Sequence, residues 1–293
     1  MEKFSEKRRA FVLASAGAMA GILQAKAAFS QLVNAAERPD PKTFESGDFV
    51  WPKPPGAFIP YEGVPPERLL VDAQEVTESE WTRLKFEFIR AARAADPGVD
   101  PAERQYRLDI ADRLETMSYS TFFNDYSAGV SPKEFQTYGA GQIAYVGHVA
   151  ILEVDPASKI PYVIEAVYGQ TLECKSCVQR VSYERWLSAR GNVLVWHGRL
   201  KGVGAAQRAQ VAALAGVEQG KPYRFFNWNL MDTSGFYCSK LVWYAVMKAT
   251  GIALDDNPDP RRPIWFSPLQ AMKYGKEKNH IDLLSSPGNY RNI

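Results

Sequence analysis

Two β-rich runs joined by a short turn constrain the fold of this chain most strongly. The runs are Ile143 to Val154 and Tyr162 to Tyr168, and the residues between them begin with Asp155-Pro156-Ala157-Ser158. Asp followed by Pro is typical of the first two positions of a type I turn. The two runs are therefore predicted to pair as an antiparallel hairpin, with its centre between Pro156 and Ala157.

In that register His148 and Glu165 lie directly opposite each other. Opposed residues share one face of the sheet and have Cβ atoms about 5 Å apart, so an imidazole and a carboxylate would be neighbours. A slip of one residue would put them on opposite faces. The contact between His148 and Glu165 thus tests the predicted register.

A largely helical block is predicted at residues 63–137, between a strand at about Phe44–Trp51 and the hairpin. Thr77-Glu78-Ser79-Glu80 is a capping box, and Asp100-Pro101-Ala102-Glu103 is a second helix start with Pro at the first helical position. Apolar residues follow both starts at helical spacing. Such an insertion would serve as a lid, a wall or scaffolding.

Cys238 lies where an aromatic loop gives way to an amphipathic run that continues to about Thr250 and is followed by Gly251. This pattern predicts that Cys238 is in the first turn of a helix. Unpaired N–H groups and the positive end of the helix dipole favour a thiolate there, and a thiolate is a nucleophile. The alternative is that Cys238 is a small buried hydrophobic residue.

A nucleophilic thiol needs a base, and the base needs a group that orients it. His148 is the favoured base because Glu165 is predicted to face it. His197 lies in a strand whose alternation turns it outward, with no acidic residue expected nearby. His280 lies in a polar segment that is expected at the surface.

Residues 1–27 have the features of a twin-arginine-type export signal. Arg8-Arg9 precedes an Ala/Gly-rich apolar stretch, and Ala25-Lys26-Ala27 is a small-x-small cleavage site. Residues 28–293 are then expected to be a single periplasmic or otherwise exported domain. No later apolar run is long enough for a membrane span, so no stable membrane insertion is expected after removal of the signal.

The charge of the chain gives no reason to expect binding to nucleic acid. Residues 1–27 hold five of the 35 basic and two of the 33 acidic residues, so the remainder is nearly balanced.

Three cysteines in an oxidising compartment leave one thiol unpaired. The simplest partition pairs Cys174 with Cys177 and leaves Cys238 free. A structural disulfide or two inert thiols is favoured over a redox-active pair, because no thioredoxin-like βαβ pattern surrounds Cys174 and Cys177. Two close cysteines are too few for a structural zinc site, so neither a metal nor a cofactor is expected.

Five short motifs occur in a characteristic order across roughly residues 44–270. They are Gly47-Asp48, Gly147-His148-Val149-Ala150-Ile151, Ile164-Glu165-Ala166, Gly220-Lys221-Pro222-Tyr223 and Phe236-Tyr237-Cys238-Ser239-Lys240-Leu241-Val242-Trp243. Together they resemble the circularly permuted NlpC-like cysteine peptidases of the YiiX branch, in which the histidine and the glutamate precede the cysteine. The resemblance implies an α+β, papain-like fold in which the cysteine helix packs on an antiparallel sheet.

The resemblance also implies residue roles. Cys238 would be the nucleophile, His148 the base, Glu165 the orienting residue, and Tyr223 a contributor to the oxyanion pocket. Two features depart from the family pattern: the helical block is longer than the family core needs, and the Cys174/Cys177 pair is not part of it.

The aromatic residues around the cysteine are candidates for substrate contacts, with core packing as the alternative. The candidates are Tyr237, Trp228 and the adjacent Ser239. The expected activity is hydrolysis of an amide or ester bond, and export suggests a cell-wall peptide as substrate. A lipid or N-acyl deacylase or acyltransferase, a non-catalytic binding module and a thiol redox protein are the alternatives, and the oligomeric state is not indicated.

Overall fold

A six-stranded antiparallel sheet organises the structure. The computed structural model describes residues 38–53, 58–59, 68–71, 74–94, 98–122, 143–144, 146–170, 172–191 and 193–286. The predicted export signal at residues 1–27 lies outside the described residues. Within them, no helix is long and apolar enough to cross a membrane.

The strands fall into one large sheet and two small ones. In chain order they are β1 (Phe49–Lys53), β2 (Phe58–Ile59), β3 (Arg68–Val71), β4 (Gln74–Thr77), β5 (Ile143–Ala144), β6 (Ala150–Val154), β7 (Pro161–Gln170), β8 (Lys175–Ser182), β9 (Leu194–Leu200) and β10 (Ile281–Ser285). The large sheet has the order β10-β9-β1-β6-β7-β8, and neighbouring strands are antiparallel. β2 pairs with β5 and β3 with β4.

The helices begin where the sequence places their caps. They are α1 (Glu78–Arg93), α2 (Pro101–Thr116), α3 (Tyr119–Phe122), α4 (Tyr183–Arg190), α5 (Ala205–Val217), α6 (Cys238–Thr250) and α7 (Pro268–Glu277), with a 3-10 turn at Pro41–Thr43. Thr77 accepts the N–H of Glu80 at the start of α1, and Asp100 caps α2. The predicted helical block opens with the β3–β4 hairpin, so its first part is a strand pair.

Two hydrophobic cores lie on opposite faces of the large sheet. Because successive side chains of a strand point to opposite faces, Ile151 and Ile164 join the larger core, which also contains the buried face of α6. Leu152 and Val163 join the smaller core, together with Trp186 of α4. α6 is therefore packed on the larger-core face and α4 on the other.

The β6–β7 hairpin is shifted from the predicted register. Ile151 pairs with Ile164 and Val154 with Pro161, so the centre of the turn lies one residue further along the chain than predicted. The Asp155 carboxylate accepts the N–H groups of Ala157 and Ser158, which stabilises a six-residue loop in place of a four-residue turn. The direct pairing of His148 with Glu165 was wrong by two residues, a shift that keeps both on the same face.

The C-terminal part of the chain contains more regular structure than expected. α7 has a reciprocal capping box between Ser267 and Gln270 and extends beyond the predicted short helix. The segment after it forms β10, an edge strand on β9 in which Ile281 is buried. The strand was not predicted because polar residues surround Ile281 in the sequence.

Candidate active site

Cys238 is the first residue of α6, as predicted. Tyr237 is the N-cap residue and makes no side-chain hydrogen bond to the helix, and Gly251 ends the helix in the left-handed conformation. The thiol is fully buried and receives hydrogen bonds from the backbone of Val149 and of Ser239. Val149 directly follows His148, so the backbone of the β6 segment contacts the cysteine.

The protonation state of Cys238 differs from the expected one. Burial raises the pKa of the thiol to about 12, and the backbone hydrogen bonds offset only part of this rise. The resting group is therefore a neutral thiol. The position at the start of a helix predicts a lowered pKa for the thiol. That prediction fails because the sequence pattern does not show that the thiol is buried.

His148 and Glu165 form a buried hydrogen-bonded pair. His148 Nε2 lies 2.7 Å from Glu165 Oε2, and neither side chain is more than 3% exposed. Burial lowers the pKa of His148 to about 4, although the hydrogen bond and charge of Glu165 act in the other direction. The imidazole is thus neutral near pH 7, and the predicted contact is present in spite of the shifted register.

Glu165 is held as a carboxylate by three further donors. Arg190 Nη2 lies 2.6 Å and Trp186 Nε1 2.7 Å from Oε2, and Gln179 Nε2 lies 2.8 Å from Oε1. Burial raises the pKa of Glu165, but the charge of Arg190 and the hydrogen bonds from His148 and Trp186 outweigh it and lower the pKa to about 2. These donors fix both oxygens of the carboxylate.

The three donors were missed in the sequence. Gln179 lies directly opposite Glu165 in the β7–β8 ladder. Trp186 and Arg190 are four residues apart on α4, so they share a helix face. The i, i+4 spacing of Trp186 and Arg190, on a helix that follows the predicted hairpin, is the sequence signal that could have indicated these two donors.

The cysteine contacts the backbone at the start of a strand, one residue after the histidine. Glu165 has the same alternation as Val163 and so belongs to the α4 side of the sheet, whereas α6 packs on the other side. His148 precedes the first residue of β6 by two positions. The two sides meet at this strand start, where the Val149 N–H reaches Cys238.

Tyr223 is connected to the cysteine through the backbone. It forms a bridge with Phe236, two residues before Cys238, and the N–H of Arg224 donates to the Phe236 carbonyl at 3.0 Å. On its other side the Tyr223 N–H donates to Ser176 of β8. Tyr223 therefore belongs to the segment that lines the approach to α6.

The three residues predicted to contact substrate lie inside the core. Tyr237, Trp228 and Ser239 are fully buried. The Tyr237 hydroxyl accepts the N–H of Phe266, and the Ser239 hydroxyl donates to the carbonyl of the same residue. Their burial and these bonds favour the packing alternative for all three.

His197 is buried, so its predicted outward orientation was wrong. Its Nε2 lies 2.8 Å from Asp48 Oδ2, and Arg199 also binds this carboxylate. β9 is an inner strand of the sheet, and Phe44 covers the His197 ring at 4.8 Å between centroids. Gly47 has a φ of +87°, and a Cβ there would lie 2.0 Å from the Arg208 carbonyl oxygen, so only glycine fits the turn that presents Asp48.

His280 is partly exposed and pairs with Asp256 at 2.6 Å. It is far along the chain from the other site residues and lies just before the edge strand β10. Its position agrees with the expected surface location.

Cys174 and Cys177 are joined by a disulfide, and Cys238 is free. The disulfide lies at the β7–β8 turn, where Cys177 pairs with Val167 in the ladder. In the described part of the chain, no group of three or more His, Cys, Asp or Glu side chains is arranged to hold a metal ion.

Comparison with known proteins found one family model that matches part of the chain. Residues 120–259 match the family model described as "Permuted papain-like amidase enzyme, YaeF/YiiX, C92 family". The match covers 140 of the 293 residues, and over them the chain is similar to this family of permuted papain-like amidases. The matched segment contains His148, Glu165 and Cys238, and it begins after α1 and α2. The resemblance noted in the sequence is confirmed, and it supports a cysteine hydrolase of the papain-like type.

Among solved structures, a crystal structure of the metalloprotein YiiX from Escherichia coli O157:H7 is similar to this chain. The two share 20% sequence identity with a TM-score of 0.37, over 49% of this chain and 84% of that chain. A search of curated proteins found no match.

Proposed function

We propose that the protein is an exported amidase that cleaves an amide (or ester) bond in cell-wall peptides, with Cys238 as nucleophile, His148 as base and Glu165 as orienting residue. The observation that carries the proposal is the 2.7 Å hydrogen bond between His148 and Glu165. It lies next to the Val149 N–H that donates to the Cys238 thiol. A base with an oriented ring is thereby adjacent in the chain to the contact with the nucleophile.

The proton path follows from the hydrogen bond to Glu165. Because Nε2 faces the carboxylate, Nδ1 is the ring nitrogen that takes the thiol proton of Cys238. The sulfur then forms a bond to the substrate carbonyl carbon, and the imidazolium returns the proton to the leaving amine as the C–N bond breaks. Water, deprotonated by the same nitrogen, hydrolyses the thioester and restores the thiol.

The buried pair makes proton transfer part of the attack. A thiol with a pKa raised to about 12 and an imidazole with a pKa lowered to about 4 remain neutral near pH 7. Charge separation in the transition state is stabilised by the carboxylate of Glu165, which is ionised at this pH. Glu165 thus favours the imidazolium that forms during the reaction.

The oxyanion is held at the start of α6. The backbone N–H of Cys238 is at the positive end of the helix, and no side chain caps this end. Tyr223, which the backbone connects to Phe236, is the proposed second contributor. Together they would stabilise the charge on the tetrahedral intermediate.

The proposed substrate and the proposed location are inferred from the sequence. The twin-arginine-type pattern in residues 1–27 supports export, and a periplasmic amidase meets cell-wall peptides there. The test is to incubate residues 28–293 with peptidoglycan fragments and, separately, with N-acylated lipids, using Cys238→Ala as the control. We expect new amine and carboxylate ends from the peptide fragments alone. Release from the acylated lipids alone, or equal release by the control, would contradict the proposal.

A further inference from the structure

A groove of about 640 Å³ lies between the helical pair α1–α2 and the loop 222–234. The helical pair precedes the family-matched segment, and the loop leads to Cys238. The volume is within the range of about 300–1,000 Å³ that is usual for ligand sites. The groove is therefore built partly from residues that the family core does not contain.

The floor of the groove is apolar and partly accessible. Phe88 of α1 lies 6.0 Å from Phe226, and Phe225 and Tyr223 continue the aromatic surface toward the site. Phe88 is only partly buried. An extended ligand can therefore contact this floor without displacing the core.

The acidic residues of the groove already have positive partners. Glu103 and Asp232 both pair with Arg107, at 2.9 and 3.7 Å. The charges of these two carboxylates also act on Lys240, which is buried behind the loop and whose pKa burial lowers to about 7. The third acidic residue, Glu87, pairs with Arg83 outside the groove.

Two guanidinium groups at the groove have no acidic partner in the part of the chain that the structure describes. Arg90 of α1 and Arg224 of the loop line opposite walls and are exposed. No carboxylate among the described residues lies within ion-pair distance of either, and Arg224 binds only the Ser234 carbonyl with its side chain. The lining has three acidic and three basic residues, and Arg90 and Arg224 are the two basic ones whose hydrogen-bond donors face no described carboxylate above the apolar floor.

One wall of the groove is connected through the backbone to the segment that precedes the nucleophile. Tyr223, one of its lining residues, pairs with Phe236, and Phe236 precedes Cys238 by two positions. A ligand that lies on Phe88 and Phe226 can thus extend toward the start of α6. Tyr223 is therefore the residue shared by the groove and the proposed active site.

We infer that this groove binds the carboxylate-bearing arm of a peptide substrate, with Arg90 and Arg224 as the residues that select it. The inference rests on the proposed function and names its substrate class: a short peptide with a free carboxylate a few residues from the scissile amide. Guanidinium groups match carboxylates in geometry and charge. A plain acyl chain would leave the donors on both walls unpaired, so a peptide is the occupant that the groove fits.

The experiment measures binding apart from turnover. Cys238→Ala protein is titrated calorimetrically with a cell-wall stem tripeptide that carries free carboxylates, and with the same peptide in which these groups are carboxamides. We expect the carboxylate peptide to bind more tightly, and Arg90→Gln/Arg224→Gln to weaken its binding about tenfold while leaving the carboxamide peptide unaffected.

Arg104→Gln/Arg113→Gln is the matched control, because both arginines are exposed on α2 and neither lines the groove. It should bind both peptides as the parent does. The inference is overturned if neither peptide binds, if the two bind equally, or if Arg90→Gln/Arg224→Gln binds the carboxylate peptide as the parent does.

Turnover by the protein with Cys238 intact separates the two proposals. Hydrolysis of the stem peptide that does not depend on Arg90 and Arg224 would contradict the proposed role of the groove and support the amidase function. Binding that depends on the two arginines, without hydrolysis, would support the role of the groove and contradict the amidase function. Tighter binding of an N-lauroyl amine than of the carboxylate peptide would assign the groove to acyl chains and contradict the inference.

Discussion

Two buried histidine–carboxylate–arginine groups lie on the same sheet, and they differ in what surrounds them. His148 pairs with Glu165 at 2.7 Å beside Arg190, and His197 pairs with Asp48 at 2.8 Å beside Arg199. The first borders the backbone contact to the Cys238 thiol, whereas the ring of Phe44 covers the second. A buried histidine with an acid is therefore no active site by itself.

The second group has an evident structural role. Asp48 also accepts the N–H of Glu45, and Arg199 joins Asp48 to Glu45 and to the Thr43 carbonyl. The network fastens residues 43–48 to β9. The comparison predicts that changes at the first group reduce catalysis and that matched changes at the second reduce stability.

The largest expected difference is between the two histidines. His148→Ala should lower kcat by about 10⁴-fold, because the thiol then has no base. His197→Ala should leave kcat within about tenfold and lower the free energy of unfolding by about 3 kcal/mol, because it leaves Asp48 buried without one of its partners. Amide hydrolysis and urea unfolding measure the two effects. Equal losses of kcat in both variants would contradict the distinction between a catalytic His148 and a structural His197.

A smaller difference is expected between the two carboxylates. Glu165→Gln should lower kcat by about 10²-fold or more at similar KM, because the neutral amide no longer stabilises the imidazolium. Asp48→Asn should lower the melting temperature and affect kcat much less. Initial rates and thermal unfolding of both variants test this. An Asp48→Asn protein that folds with parent stability but has lost its activity would contradict the assignment.

The smallest expected effect is on pH dependence. Arg190 lowers the pKa of Glu165 and that of His148. Arg190→Gln should therefore move the acid limb of kcat/KM to higher pH, whereas Arg199→Gln should leave it in place. A profile unchanged by Arg190→Gln, in a variant that still folds, would show that Arg190 does not act on the pair.

The lowered pKa of Glu165 also makes the stability of the fold depend on pH. The charge of Arg190 and the hydrogen bonds from His148 and Trp186 outweigh burial and take the pKa of Glu165 from 4.5 to about 2, so its contribution to stability is present above pH 4.5 and is lost as the pH falls toward 2. In Arg190→Gln the pKa of the folded state is higher, so acid unfolding should begin at higher pH. Circular dichroism between pH 6 and pH 2 measures the midpoint.

The local features of the fold were readable in the sequence. The caps at Thr77 and Asp100 and the start of α6 at Cys238 depend on residues within one turn of each other, and all three are present. The disulfide was the simplest pairing of three cysteines and is formed. Short-range chemistry of this kind does not depend on the rest of the fold.

Features that depend on distant contacts were harder to predict. The register of β6 and β7 was missed because the Asp155 side chain stabilises a longer loop than a type I turn. The burial of His197 depends on β10, which follows in the chain after more than 80 residues. The raised pKa of Cys238 likewise comes from packing around the helix start, which the sequence pattern does not contain.

Trapping the acyl-enzyme tests directly whether Cys238 is the nucleophile and His148 its base. A slowly hydrolysed ester of the peptide substrate is mixed with the protein, quenched with acid and analysed by peptide mass spectrometry. We predict one acyl group on Cys238, formed at the parent rate in His197→Ala and at least about a hundredfold more slowly in His148→Ala. Turnover without a label on Cys238, or labelling of His148→Ala at the parent rate, would contradict the central claim.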